Sequence, residues 1–299
     1  MARILVLGAS GCSGFSIVSR LSGAHAVRGI CRNPPPSTLP IVQGESLSPE
    51  TLRKHIDEFA PDVVINTVAV GDVDACEKDP TLAHRVNVEG VHDLIGVLDR
   101  SASRARLIHF STNAVFDGLH PPYSESSPAL PVNEYGRSKL EADRYVANHY
   151  ANHLILRPIT MFGLKQSFQR HNPVSFIIDR LSKGNSVELV DDVYGNLLHL
   201  EDLTSYVESF LSHEYRGVVH VSGDEIVNRY ELGLAVARAF EFPESLVVRC
   251  SSDRFPALAR RPPDTSFDNS LLKKLTGRNP TSLNAALAEM KSHMRQAGG

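Results

Sequence analysis

A short apolar run, Ile4-Leu5-Val6-Leu7, leads directly into Gly8-Ala9-Ser10-Gly11-Cys12-Ser13-Gly14, and a helical pattern follows from near Phe15. Few folds accept that arrangement. An uninterrupted apolar run of this length reads as a strand buried on both faces. Glycines spaced Gly-x-x-Gly-x-x-Gly between a strand and a helix read as the turn of a βαβ unit that cradles a dinucleotide. Gly8 then makes the tight turn. Gly11 lets the backbone approach a pyrophosphate at the helix N-terminus, where free N–H groups and the helix dipole favour an anion. Gly14 lets the helix pack close to the strand. The loop residues expected at the cofactor are Gly8, Ser10, Gly11, Cys12, Ser13 and Gly14. The run is too short for a secretory core or a membrane span, so the expectation is a cytoplasmic chain with no membrane partner.

The same alternation continues through the first half. Ala26–Cys31, Val63–Asn66, Leu107–Ser111 and Leu154–Arg157 read as further strands. Pro49–Phe59, Pro80–Leu98 and Glu134–His149 read as amphipathic helices. Apolar strands separated by such helices predict the α/β class, a Rossmann-type doubly wound parallel sheet. Beyond about Pro158 the elements shorten, with helices at Val174–Leu181, Leu203–Leu211, Arg229–Ala239 and Ser282–Met294 and a strand at Val218–Val221. The expected layout is a dinucleotide-binding domain over residues 1–158, joined by about 196–221. A smaller substrate domain follows over 159–195 and 222–299; a chain of 299 residues has room for both. A net charge of −3 leaves no nucleic-acid footprint. Cys12, Cys31, Cys76 and Cys250 form no CxxC pair and read as reduced thiols.

The chemistry is carried by Asn133-Glu134-Tyr135-Gly136-Arg137-Ser138-Lys139, downstream of a strand that ends at Ser111-Thr112. Tyr135 and Lys139 share one face of a helix. An ammonium near a phenol favours the phenolate and should lower its pKa toward working pH. A hydroxyl from Thr112 is placed to bond a carbonyl or alcohol oxygen. Combined with the glycine loop, this predicts hydride transfer with a nicotinamide while the tyrosine moves a proton. Cofactor choice is set where the second strand ends. An acid there would favour NAD, but the chain offers Arg32 and Asn33. Arg32 is expected to pair with a 2′-phosphate, so NADP(H) is preferred over NAD(H). Glu45 is placed at the adenine edge.

These residues resemble the extended short-chain dehydrogenase/reductase superfamily, and more narrowly the dTDP-4-dehydrorhamnose reductase family. The matching stretches include Pro61-Asp62-Val63-Val64-Ile65-Asn66, Val86-Asn87-Val88-Glu89-Gly90 and Phe110-Ser111-Thr112-Asn113-Ala114-Val115-Phe116. Others are Tyr135-Gly136-Arg137-Ser138-Lys139, Leu156-Arg157-Pro158, Tyr194-Gly195-Asn196 and Arg260-Arg261-Pro262. The resemblance spans nearly the whole chain. It implies reduction of the C4 keto group of a nucleotide-linked 4-keto-6-deoxy sugar, as in deoxysugar biosynthesis, by a homodimer. By position it makes Thr112 the residue that orients the keto oxygen and Tyr135 its proton donor. Lys139 then holds the nicotinamide ribose.

The resemblance further places Asn66, Thr67, Val68, Ala69, Asn87, Ser111 and the Arg157-Pro158-Ile159 segment at the cofactor. Val70, Val73 and Asn113 fall at the substrate. Arg260 and Arg261 suit the nucleotide diphosphate, for which a bidentate guanidinium is well shaped. The chain departs from the family pattern at Asn113-Ala114, Val70-Gly71-Asp72 and Thr160, positions that contact the sugar in the family. Ser16 stands where some members carry an acid used in a Mg²⁺-bridged dimer, so no metal is expected. Asn113-Ala114 also lacks the carboxylates of the dehydratases. A nucleotide-sugar 4-epimerase and a non-catalytic NADP-binding regulatory subunit remain open alternatives.

Overall fold

The computed structural model describes residues 1–101 and 104–297. Seven parallel strands form the central sheet: β1 (Arg3–Leu7), β2 (Ala26–Cys31), β3 (Ile41–Gln43), β4 (Val63–Asn66), β5 (Arg106–Phe110), β6 (His153–Pro158) and β7 (Gly217–Val221), in the order β7-β6-β5-β4-β1-β2-β3. β1 is an interior strand, with Leu7 level with Asn66 of β4 on one side and with Ile30 of β2 on the other. Its residues Ile4 to Leu7 are fully buried, as a sheet covered by helices on both faces requires. The strand order reverses between β1 and β4. In doubly wound sheets that reversal opens a crevice beyond the carboxyl ends of the strands.

One face of the sheet packs the helix Cys12–Leu21 and the helix Leu200–Phe210 through Ile17, Val18, Leu203 and Phe210. The other face packs Pro49–Phe59, Gly90–Arg100 and Glu134–His149 through Leu52, Leu94, Ala142 and Val146. A third apolar cluster joins Ile177, Leu181, Leu232, Val236 and Leu287 from the later helices Pro173–Ser182, Arg229–Phe240 and Leu283–Ala297.

Two helices, Pro49–Phe59 and Glu134–His149, have the bounds the sequence predicts, because each begins at a capping side chain: Ser48 accepts from Thr51 N, and Asn133 from Gly136 N. The expected single helix over Pro80–Leu98 is instead broken. A helix over Pro80–His84 passes into a π-helical turn at Arg85–Glu89 and then into Gly90–Arg100. Short strands of two to four residues, such as Val187–Val190 beside Val247–Cys250, lie below what periodicity resolves.

Candidate active site

The glycine loop leaves β1 at the crevice. Gly8 takes φ +84°, and the helix begins at Cys12, three residues before the expected start at Phe15, because the Gly11 carbonyl already accepts from Phe15 N at 2.9 Å. No side chain caps that helix, so its first N–H groups are left for an anion. A Cβ on Gly14 would meet the Gly8 carbonyl oxygen at 2.4 Å. Only glycine lets the helix sit this low on the turn. Bare N–H groups over a side-chain-free turn fit a pyrophosphate. Ser10 shares a hydrogen bond with Cys31, and Ser13 Oγ donates to Met161 Sδ at 3.5 Å. Burial pushes the Cys12 thiol up to about 11, which keeps it neutral.

Beyond β2, Arg32 and Asn33 are exposed, and Arg32 Nε faces Glu45 across 4.0 Å. The side chain expected at the 2′-phosphate and the one expected at the adenine edge therefore face each other. Thr67 Oγ1 donates to the Leu7 carbonyl at 2.8 Å and packs beneath Gly8 beside Val68, and Ala69 is exposed.

Two residues expected at the cofactor are fully buried and bonded to protein groups. Asn66 is fully buried, accepting from Val68 N at 3.1 Å with Nδ2 3.3 Å from His109 Nδ1; its amide satisfies the turn and a buried imidazole. Asn87 is fully buried too. It accepts from Val70 N at 2.8 Å and donates to Ser138 Oγ at 3.0 Å. The π-helical turn inserts an extra residue, and Asn87 points inward there, tying the loop around Val70 to the helix Glu134–His149.

That helix presses on the turn Asn113–Val115 because residue 136 has no side chain: a Cβ there would lie 2.1 Å from the Ala114 carbonyl oxygen. The close approach brings Tyr135 to Thr112, whose hydroxyl acts on the phenol. Thr112 Oγ1 also accepts from Ala114 N at 3.1 Å. The expected lowering of the phenol by Lys139 is not what the site shows. Burial pushes Tyr135 up to about 12, against a smaller opposing effect of the Thr112 hydroxyl, so the phenol keeps its proton.

Lys139, also buried, donates from Nζ to the Phe110 carbonyl at 2.7 Å and lies 3.5 Å from His109 Nε2. Burial pulls its ammonium down to about 8, and the Asp143 carboxylate resists. Burial, then the Lys139 charge, holds His109 well below its usual range and so neutral.

Asp143 is a residue that sequence reasoning missed. Its Oδ2 accepts from Ser111 Oγ at 2.8 Å and from Arg157 Nε at 3.0 Å, while Oδ1 has no partner among the described residues. A signal existed in the spacing, because Tyr135, Lys139 and Asp143 recur every four residues on one helix face. Arg157, in a segment expected at the cofactor, turns inward to this carboxylate and lies 5.7 Å over the Phe116 ring.

In front of Tyr135 lies a cavity of about 580 Å³. Ser111, Thr112, Pro158, Ile159, Thr160, Tyr194, Phe255, Arg229 and Arg261 are among the residues that line it. Val73 and Asn113 also line it, the Asn113 amide donating to Thr265 Oγ1 at 2.6 Å, while Val70 is held by Asn87. The expected pair of diphosphate-gripping arginines is not free. Arg261 reaches the cavity but is bound through two nitrogens to Asp74, at 2.8 and 3.1 Å. Arg260 is exposed and does not line the cavity; its carbonyl accepts from Asn133 Nδ2 at 2.9 Å, which fixes the chain there. Among the described residues no group of three or more His, Cys, Asp and Glu side chains could hold a metal. None of the described helices is long and apolar enough to cross a membrane.

A family model described as the RmlD substrate binding domain matches residues 2–296. The chain is 28% identical over 281 residues to methionine adenosyltransferase 2 subunit beta of Rattus norvegicus, covering 91% of this chain and 82% of that protein. It is 28% identical over 297 residues to a dTDP-4-dehydrorhamnose reductase of Burkholderia thailandensis, covering 92% and 93%. The solved structure of dTDP-4-dehydrorhamnose reductase from Yersinia enterocolitica superimposes with a TM-score of 0.83 at 26% identity, covering 98% of this chain and 99% of that one.

Proposed function

The chain belongs to the RmlD substrate binding domain family, and from that premise we propose that it is an NADPH-dependent reductase of the C4 keto group of a nucleotide-linked 4-keto-6-deoxy sugar. One observation carries the reading: a protonated Tyr135, set beside Thr112 and one helical turn from Lys139, faces a cavity of about 580 Å³. A bound reduced nicotinamide supplies the hydride. Thr112 holds the keto oxygen, and the Tyr135 hydroxyl gives that oxygen its proton as the carbon is reduced. A phenol kept protonated by burial is in the state a donor needs. In this reading Lys139, which donates to the Phe110 carbonyl, binds the ribose and offsets the charge left on Tyr135. Arg32 favours the 2′-phosphate of NADPH, in competition with Glu45.

In this reading residues 1–158 and 196–221 form the cofactor unit, supported by β7 joining the sheet beside β6. Residues 159–195 and 222–299 form the substrate unit, supported by the third apolar cluster. The protein works as a cytoplasmic homodimer on a nucleotide-diphosphate sugar.

A non-catalytic subunit is the second reading, favoured by the likeness to the rat adenosyltransferase subunit. Turnover separates the two. Purified protein with NADPH, or NADH in parallel, and enzymatically generated dTDP-4-keto-6-deoxyhexose should oxidise NADPH. Tyr135→Phe should slow that by roughly 10²- to 10⁴-fold while NADPH still binds. Full-rate turnover by the variant would refute Tyr135 as donor, and absent turnover with tight NADPH binding would favour the subunit.

A further inference from the structure

Two cationic side chains and no carboxylate line the cavity. One of the two, Arg261, is already bound at both nitrogens by Asp74. The other is Arg229, the first residue of the helix Arg229–Phe240. Its guanidinium donates from Nη2 to Thr160 Oγ1 at 3.3 Å, and among the described residues no carboxylate lies within ion-pair distance of it. The nearest acid in sequence, Glu231, is committed elsewhere: its carboxylate accepts from Asn228 N at 2.9 Å to close the helix cap. A guanidinium has five N–H donors in a rigid fork, and here one neutral hydroxyl meets them. Surrounding protein holds its pKa below the usual arginine range, but it stays charged. The surface it keeps faces the cavity that it lines.

An uncompensated cation in a desolvated site opposes folding unless something pairs with it. The backbone that carries it is well held. The cap is reciprocal, Glu231 N donating to Asn228 Oδ1 at 2.8 Å, and Val227-Asn228 pair with Tyr194-Gly195. A rigid, unpaired fork beside Thr160 is arranged for a planar or tetrahedral oxyanion.

We propose that Arg229 is the anion-recognising residue of this cavity and takes two anionic oxygens of the substrate. The proposal rests on the nucleotide-sugar reading above. On that reading the oxygens are those of the diphosphate; a carboxylate on the sugar would put a uronate in place of the 6-deoxy sugar, and one experiment separates the two sources.

NADPH-saturated wild-type protein, Arg229→Gln and Arg229→Lys are titrated by calorimetry with dTDP, UDP-glucose and UDP-glucuronate, none of which requires turnover. Arg229→Gln should lose about tenfold or more in affinity for an anionic probe. Arg229→Lys, which keeps the charge but loses the fork, should fall between. The Tm without nucleotide should be unchanged or higher in Arg229→Gln, whereas a structural arginine would lower it. A loss on dTDP identifies the diphosphate. An unchanged dTDP affinity, with loss of a wild-type preference for UDP-glucuronate over UDP-glucose, identifies a sugar carboxylate. Equal affinities in wild type and Arg229→Gln for all three probes overturn the proposal and leave the reductase reading standing. Failure of the wild type to bind any probe overturns both.

Discussion

The two ends of the active-site crevice are put together in opposite ways. The cofactor end is local: residues 8 to 14 supply the turn, the close approach and the bare helix end, and their fit depends on side chains being absent. The substrate end is assembled from distant segments, with Thr112, Thr160, Tyr194, Arg229 and Thr265 meeting around one cavity. The wall between them differs from both, since there Asp143 accepts from Ser111 and Arg157, and Lys139 donates to the Phe110 carbonyl, all deep in the protein. A backbone cradle needs shape. A catalytic wall needs its charges paired, and a binding wall keeps at least one of them open.

The dividing wall offers the largest effect. Asp143→Asn leaves Arg157 buried without its anion, and breaking such a pair costs about 3–5 kcal/mol. Chemical denaturation should read that loss. The same variant removes the carboxylate that resists the downward shift of Lys139. The alkaline limb of the kcat/KM profile should therefore move to lower pH. The stability linkage has a definite sign. Lys139 sits at about 8 folded against 10.5 in the unfolded chain, so the unfolded chain holds the extra proton between those values. Its contribution to stability rises with pH across that window. In Asp143→Asn the window should open at lower pH, and an unmoved limb would mean that Asp143 does not act on Lys139.

The cofactor end should break sterically. Gly14→Ala puts a methyl group 2.4 Å from a carbonyl oxygen that belongs to the backbone and cannot swing away. A loss of about 1–3 kcal/mol in stability is expected, with weaker NADPH binding and little change in nucleotide-sugar binding. Equal damage to both ligands would show that the two ends are not independent. The smallest effect belongs to Arg32→Ala. This exposed side chain shares its charge with Glu45, so NADPH should weaken by about tenfold at most and NADH hardly at all. Equal losses measured by fluorescence titration would remove Arg32 from phosphate recognition.

Much of this molecule is legible in its amino-acid sequence. β1, the glycine turn and the helix Glu134–His149 announce themselves because their determinants lie within a few residues of one another. A glycine spacing, a capping Asn133 and a Tyr-Lys pair one helical turn apart are local facts. The placement of Thr112 beside Tyr135 is also within reach, since a strand end and a helix start recur in that relation.

What sequence spacing misleads on is direction. Asn66 and Asn87 belong to the right segments but point inward, because buried polar groups pair with whatever the packing brings to them. Arg260 and Arg261 stand out as adjacent cations, yet Asp74, 187 positions from Arg261, takes the charge of one, and the cavity does not reach the other. Arg229 gives no such signal, because a basic residue at the start of a helix is ordinary in a sequence. Local propensity determined the strand, the cradle and the catalytic face of the helix. Only the tertiary structure decided which charges are neutralised and which one is left open, because the partners that desolvate or pair a side chain come from parts of the chain that spacing does not connect.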